Sequence, residues 1–160
     1  MTKLIEKANI LIEALPYIQV LSGKTVVIKY GGSAMNDEDI ANTILQDITL
    51  LKYVGVNPIL VHGGGNAISA MLKKLDINST FHDGLRITDK KAMDVVEMVL
   101  SGSVNNKIVT SLNKLGAKAI GLSGKDANLI KAKKKNSRDG VDLGYVGEIT
   151  KINVEVLNEL

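Results

Sequence analysis

The chain has no cysteine and no tryptophan, a single phenylalanine, two prolines and only 3% aromatic residues in 160. Without cysteine there are neither disulfides nor thiolate metal sites, and the expected setting is the cytoplasm. So few aromatics leave no stacking platform for nucleic acid. The net charge of +3 is mild, and most of the excess lies between Lys131 and Arg138, which reads as a solvated loop. No apolar run approaches the length of a membrane span. The N-terminus alternates charged and apolar residues, so no signal peptide is expected. Several familiar signatures are missing as well. Gly124-Lys125 lacks the upstream glycine and the following Ser or Thr of a Walker loop, and no Gly-X-Gly-X-X-Gly occurs. A Gly-X-Ser-X-Gly elbow is absent too, which ranks serine hydrolysis low.

What the chain does have is a globular apolar fraction of 45% and two glycine-rich strand ends. Thr25 to Ile28 is a short β-branched run that reads as a buried strand, because its apolar residues are continuous rather than alternating. It runs into Lys29-Tyr30-Gly31-Gly32-Ser33. The glycines let the backbone turn and expose its N–H groups to an anion, and Lys29 adds positive charge at the strand's C-terminal edge. Ile59-Leu60-Val61 then leads into His62-Gly63-Gly64-Gly65 in the same manner. One Lys-X-Gly-Gly is commonly no more than a strand-to-loop turn. Two such ends in one chain point instead to a phosphate or carboxylate site.

The chain order supports an α/β fold. Residues 3 to 21 have helical apolar spacing, with Pro16 expected to kink or restart the helix. This helix either packs on its own domain or docks on another subunit. Asn36-Asp37-Glu38-Asp39 opens a second helix whose buried face is read as Ile40, Ile44, Leu45, Ile48 and Leu51, giving a βαβ unit with parallel strands. Further helices are expected at about 66–75, 92–100, capped by Thr88 or Asp89, and 103–115, closed by Gly116. Asp76 to Asp83 reads as irregular. Ala117 to Leu122 reads as a third core strand, while 129–132 and 144–149 read as a solvent-edged pair joined by a lysine-rich loop. Residues 154–160 start a helix that ends with neither cap nor closing strand, as in the first part of something longer. Arg86 stands near the glycine units in Gly84-Leu85-Arg86, and its planar fork suits a carboxylate. His62 and His82 have no metal-ligand spacing with carboxylates; no metal site is read, and His62 is assigned a hydrogen-bonding role.

Taken together, Val26-Val27-Ile28-Lys29-Tyr30-Gly31-Gly32, Val61-His62-Gly63-Gly64-Gly65, Gly84-Leu85-Arg86-Ile87-Thr88, Gly121-Leu122-Ser123-Gly124-Lys125-Asp126 and Gly144-Tyr145-Val146-Gly147-Glu148-Ile149 resemble the amino-acid kinase family. The arginine loop and the last two segments narrow the resemblance to its acetylglutamate branch. The resemblance implies a three-layer αβα sandwich with a mainly parallel central sheet, an N-terminal helical arm (1–22), an acceptor-binding lobe (23–160) and a β-hairpin near the C-terminus. It implies transfer of the γ-phosphoryl of ATP, accompanied by Mg²⁺, to the side-chain carboxylate of N-acetyl-L-glutamate. In that scheme Lys29 is catalytic, Gly32 cradles the phosphoryl, Gly64 and Gly65 contact the acceptor, and Arg86 binds its α-carboxylate. A homo-oligomer is implied, either a dimer or a hexamer built through the N-terminal helix, with L-arginine as feedback inhibitor. The family's nucleotide-binding lobe has no counterpart in these residues, so the isolated chain is expected to be inactive. Asn66 stands where many relatives carry proline. The alternatives are a non-catalytic acceptor-binding or assembly module, or a sister kinase acting on carbamate, aspartate or glutamate; Arg86 in Gly-Leu-Arg-Ile-Thr argues against the last.

Overall fold

The computed structural model describes residues 2–35, 37–137 and 139–160; Asn36, expected to open the second helix, and Arg138 of the basic stretch lie outside them. The elements are α1 (Thr2–Leu21), β1 (Thr25–Tyr30), α2 (Glu38–Tyr53), β2 (Asn57–His62), α3 (Gly65–Lys74), β3 (Phe81–His82), β4 (Leu85–Arg86), α4 (Lys90–Glu97), a π-helical segment (Met98–Asn105), α5 (Asn106–Lys114), β5 (Ile130–Lys134), β6 (Gly147–Ile152) and α6 (Glu155–Glu159). The class is α/β, as expected. Among the described residues no helix is long and apolar enough to cross a membrane. The chain divides into two compact units, residues 1–63 with 111–119, and residues 64–110 with 120–160.

In the first unit β1 and β2 pair in parallel, from Thr25 with Asn57 to Tyr30 with His62, and α2 makes the crossover. Asp37 caps α2, its Oδ1 accepting the N–H groups of Asp39 and Ile40 at 3.0 Å each. The helix buries Leu45, Ile48 and Thr49, and the Thr49 hydroxyl is satisfied by the Leu45 carbonyl at 2.8 Å. Ile40 was expected on that face but is exposed, because it lies in the acidic first turn, which stays in solvent. The expectation of a strand buried on both faces also fails for β1. Thr25, Val27 and Lys29 are exposed while Val26 and Ile28 are half-buried. Among the described residues β1 pairs with β2 alone and the face carrying Val27 has no cover.

Helix α1 runs unbroken through Pro16 instead of restarting there. The segment expected as a third core strand, Ala117 to Leu122, forms no ladder. Lys118 sits at φ +53, which breaks an extended chain. Asn113 takes the place of a neighbouring strand for Ala119: its Nδ2 donates to the Ala119 carbonyl at 3.1 Å, and Ala119 N–H donates to its Oδ1 at 2.6 Å. Gly116, at φ +89, closes α5 as expected; its own N–H reaches the Asn113 carbonyl and Ala117 N–H the Leu112 carbonyl.

The second unit is built around Ile68 and Leu72 of α3 against Ala92, Val95 and Val99, with Ile77, Val96, Leu100 and Val104 packed around them. Asp89 is the cap of α4, accepting Ala92 N–H at 2.7 Å. Two separate helices were expected after it, yet Lys90 to Lys114 is one helical run. Ser101-Gly102-Ser103 does not interrupt it; the middle widens into π-helical hydrogen bonding and remains helical. The antiparallel hairpin is β5 with β6, Ile130 opposite Ile152, shifted by one to three residues from the strands expected at 129–132 and 144–149. The shift arises because Gly144 pairs with Thr88: Thr88 N–H donates to the Leu143 carbonyl at 3.1 Å and Tyr145 N–H to the Thr88 carbonyl at 2.7 Å. The irregular stretch before Arg86 also proves partly ordered, since β3 and β4 pair around Asp83-Gly84.

Candidate acceptor and phosphoryl sites

Lys29 lies one residue before the C-terminal end of β1, opposite Val61 of β2. Its side chain is exposed and makes no ion pair among the described residues. Gly63 N–H donates to the Tyr30 carbonyl at 3.3 Å, so the ladder ends where the two glycine loops begin. Gly32, at φ +64, turns the chain into a short 3₁₀ segment, a backbone conformation that a side chain disfavours. An uncommitted ammonium beside a sharp glycine turn can meet an anion that approaches along the end of β1.

In the second unit Gly64 is the N-cap of α3 and Gly65 its first residue. A Cβ on Gly64 would stand 2.6 Å from Leu100 Cδ2, so a side chain here would push that leucine methyl aside. Gly65 has open space around it. The helix start presents the positive end of the dipole.

Arg86 is half-buried at the end of β4. Its Nη2 donates to Ser69 Oγ at 2.8 Å, its Nη1 donates to Ser79 Oγ, and its Cζ lies 4.5 Å from the centre of the Phe81 ring. Ser69 is four residues from Gly65 on α3, one turn or about 6 Å along the axis. Arg86 is therefore placed one turn from the start of α3, on the same unit as Gly64 and Gly65. A cationic fork so close to a helix N-terminus is suited to a small carboxylate.

The hairpin that aims Arg86 was missed in the sequence, although its signal was there. Asp83 and Gly84 have φ of +48 and +75, the two-residue turn that Asp-Gly favours. Ser69, Ser79 and Phe81 carried no sequence signal of their own. The histidines are engaged elsewhere. His62 Nδ1 lies 2.9 Å from the Gly63 carbonyl, consistent with the hydrogen-bonding role read for it, and His82 Nε2 lies 3.0 Å from Asp139. A hydrogen bond from Ser137 first, then its own backbone N–H and the contact with His82, hold the Asp139 carboxyl below the usual range. A cleft of about 330 Å³ lies between Glu97 and the Ser123–Asp126 loop, bridged by a Lys125–Glu97 ion pair at 2.5 Å. There Ser123 N–H donates to Asp126 Oδ2 at 2.5 Å; that bond, with the Ser123 hydroxyl, lowers the Asp126 pKa.

Residues 24–160 match the amino acid kinase family. The chain belongs to that family. It is 58% identical to an acetylglutamate kinase of Caldicellulosiruptor saccharolyticus over 163 residues, covering all of this chain and 56% of the relative. It is 56% identical to the acetylglutamate kinase of Caldanaerobacter subterraneus over 154 residues, covering 96% of this chain and 51% of the relative. The chain thus spans about half the length of these relatives. Its fold resembles that of N-acetylglutamate synthase from Neisseria gonorrhoeae, solved with coenzyme A and N-acetyl-glutamate, at a TM-score of 0.74 and 26% identity over 93% of this chain and 34% of that one.

Proposed function

We propose that this chain supplies the acceptor-binding lobe, residues 23–160, and a helical arm, residues 1–22, of a kinase that transfers the γ-phosphoryl of ATP to the side-chain carboxylate of N-acetyl-L-glutamate. The observation that carries the reading is Arg86, held one turn from Gly64-Gly65 at the start of α3. Its guanidinium pairs with the α-carboxylate, while Gly64 and Gly65 receive the rest of the acceptor. Lys29 and the Gly32 turn neutralise and hold the phosphoryl group. A side-chain carboxylate oxygen bonds to the γ-phosphorus as the bond to the β–γ bridging oxygen breaks, giving an acyl phosphate and ADP. Such transfer asks for positioning and fixed positive charge rather than covalent catalysis.

Among the described residues there is no group of three or more carboxylates or histidines able to hold a metal ion. Mg²⁺ in this reading arrives with the ATP phosphates, whose charge it neutralises, and no step depends on a protein site for it. The arm α1 exposes Leu4, Ile10, Leu11 and Tyr17, which supports a homo-oligomer, a dimer or a hexamer built through this helix; L-arginine as its feedback inhibitor rests on the family resemblance alone. Calorimetric titration of the chain tests the acceptor reading. Saturable binding of N-acetyl-L-glutamate but not of unacetylated glutamate is expected, and binding of neither would overturn it.

A further inference from the structure

We infer that Ser69, Ser79 and Phe81 are positioning residues that lock the Arg86 guanidinium in a carboxylate-ready pose before any ligand arrives. The inference deepens the acceptor reading and rests on it. An arginine on its long stem loses much rotamer freedom on binding, so an arginine fixed in advance binds its anion more tightly. Here three separate elements fix it. Ser69 comes from α3, Ser79 from the loop after it, and Phe81 from β3, beside Arg86 in the β3–β4 register. Each serine takes one N–H from a different Nη, and the ring covers one face of the guanidinium plane. Of the five N–H donors of a guanidinium, the serines use two, leaving enough for a two-pronged carboxylate contact. A cleft of about 460 Å³, lined in part by Ser69, Ser79 and Phe81 with Leu72 and Ile77, opens beside these three residues.

The two serines are hydroxyls on the surface or half-buried, so their removal leaves no buried orphan and spares the fold. The test is calorimetric titration of the parent chain, Ser69→Ala, Ser79→Ala, the double variant and Ser79→Thr. Each is titrated with N-acetyl-L-glutamate and with its α-carboxamide. Each alanine is expected to weaken binding of the acid about fivefold, the size of one hydrogen bond, and to leave the amide's weaker binding unchanged. Ser79→Thr, which keeps the hydroxyl, restores the parent affinity. A parent that prefers the acid while both alanine variants match it in every affinity would overturn the positioning role and leave the acceptor site standing. Equal affinity of the parent for acid and amide, or binding of neither, would overturn the acceptor reading itself and this inference with it.

Discussion

Gly144 lies directly against Thr88: a Cβ on Gly144 would stand 2.0 Å from the Thr88 carbonyl oxygen, and the glycine itself has φ +67. The contact ties the segment before β6 to the residues that follow Arg86, and Thr88 is buried there. Both the handedness of the backbone and the space exclude a side chain. Gly144→Ala is therefore expected to cost about 2–4 kcal/mol, combining left-handed strain with displaced backbone. Urea unfolding measures it, and a loss under about 0.5 kcal/mol, the range of an unremarkable surface change, would show that the contact does not constrain the fold.

Gly64 presents a different case, since its φ of 173 is extended and the obstacle is the end of a leucine side chain. Gly64→Ala should cost about 1–2 kcal/mol by overpacking. The same change made on a Leu100→Ala background should cost much less, because the displaced methyl is gone. Additive effects of the two substitutions in denaturant unfolding would contradict the close approach.

Asp76 ends α3 at φ +55, with its N–H bonded to the Lys73 carbonyl and Ile77 N–H to the Leu72 carbonyl. Glycine occupies the equivalent position after α2 and α5, at Gly55 and Gly116. Asp76→Gly is accordingly expected to stabilise the chain by about 1 kcal/mol. A lower thermal midpoint for the variant would contradict this.

These cases show what the sequence could disclose. Asp37, Asp89 and Gly116 act as caps because capping is a local matter of one side chain or one dihedral. Lys29 and the glycine loops were legible for the same reason, as short motifs at strand ends. The missed features all depend on distant partners. Ser69 and Ser79 meet Arg86 only after α3 and the β3–β4 hairpin have folded. Ala117 to Leu122 has strand composition but no strand beside it among the described residues, and the left-handed Lys118 and the Asn113 amide settle its shape instead. The π-helical widening at Ser101-Gly102-Ser103 is flanked by Leu100 and Val104, which pack on the core of the second unit, and a glycine between serines gives no sign of it.

Asp126 gives a pH prediction. Its carboxyl is held below its ordinary value, first by the Ser123 N–H and then by the Ser123 hydroxyl. A depressed carboxylate contributes stability that is fully present above its unfolded pKa of about 3.9 and is lost as pH falls through the folded value. NMR titration should place the Asp126 midpoint below about 3.9, and Asp126→Asn should remove the accompanying shift of the Ser123 amide. An ordinary or raised midpoint would contradict the loop geometry.

Lys29→Ala separates binding from transfer. In a chimera that continues this chain with the remaining half of the Caldicellulosiruptor saccharolyticus relative, the change should reduce formation of the acyl phosphate, trapped as a hydroxamate, by about 100-fold or more. Binding of N-acetyl-L-glutamate should stay within about twofold, because the ammonium acts on charge that develops in transfer. Unchanged turnover would remove Lys29 from the catalytic machinery.

The most direct test of the acceptor site is NMR titration of the isotope-labelled chain with N-acetyl-L-glutamate, following the Gly64 and Gly65 amides together with the Arg86 guanidinium. The account predicts saturable shifts at all three groups with one dissociation constant, lost together in Arg86→Ala. Shifts confined to other residues, or glycine shifts that persist undiminished in Arg86→Ala, would contradict it.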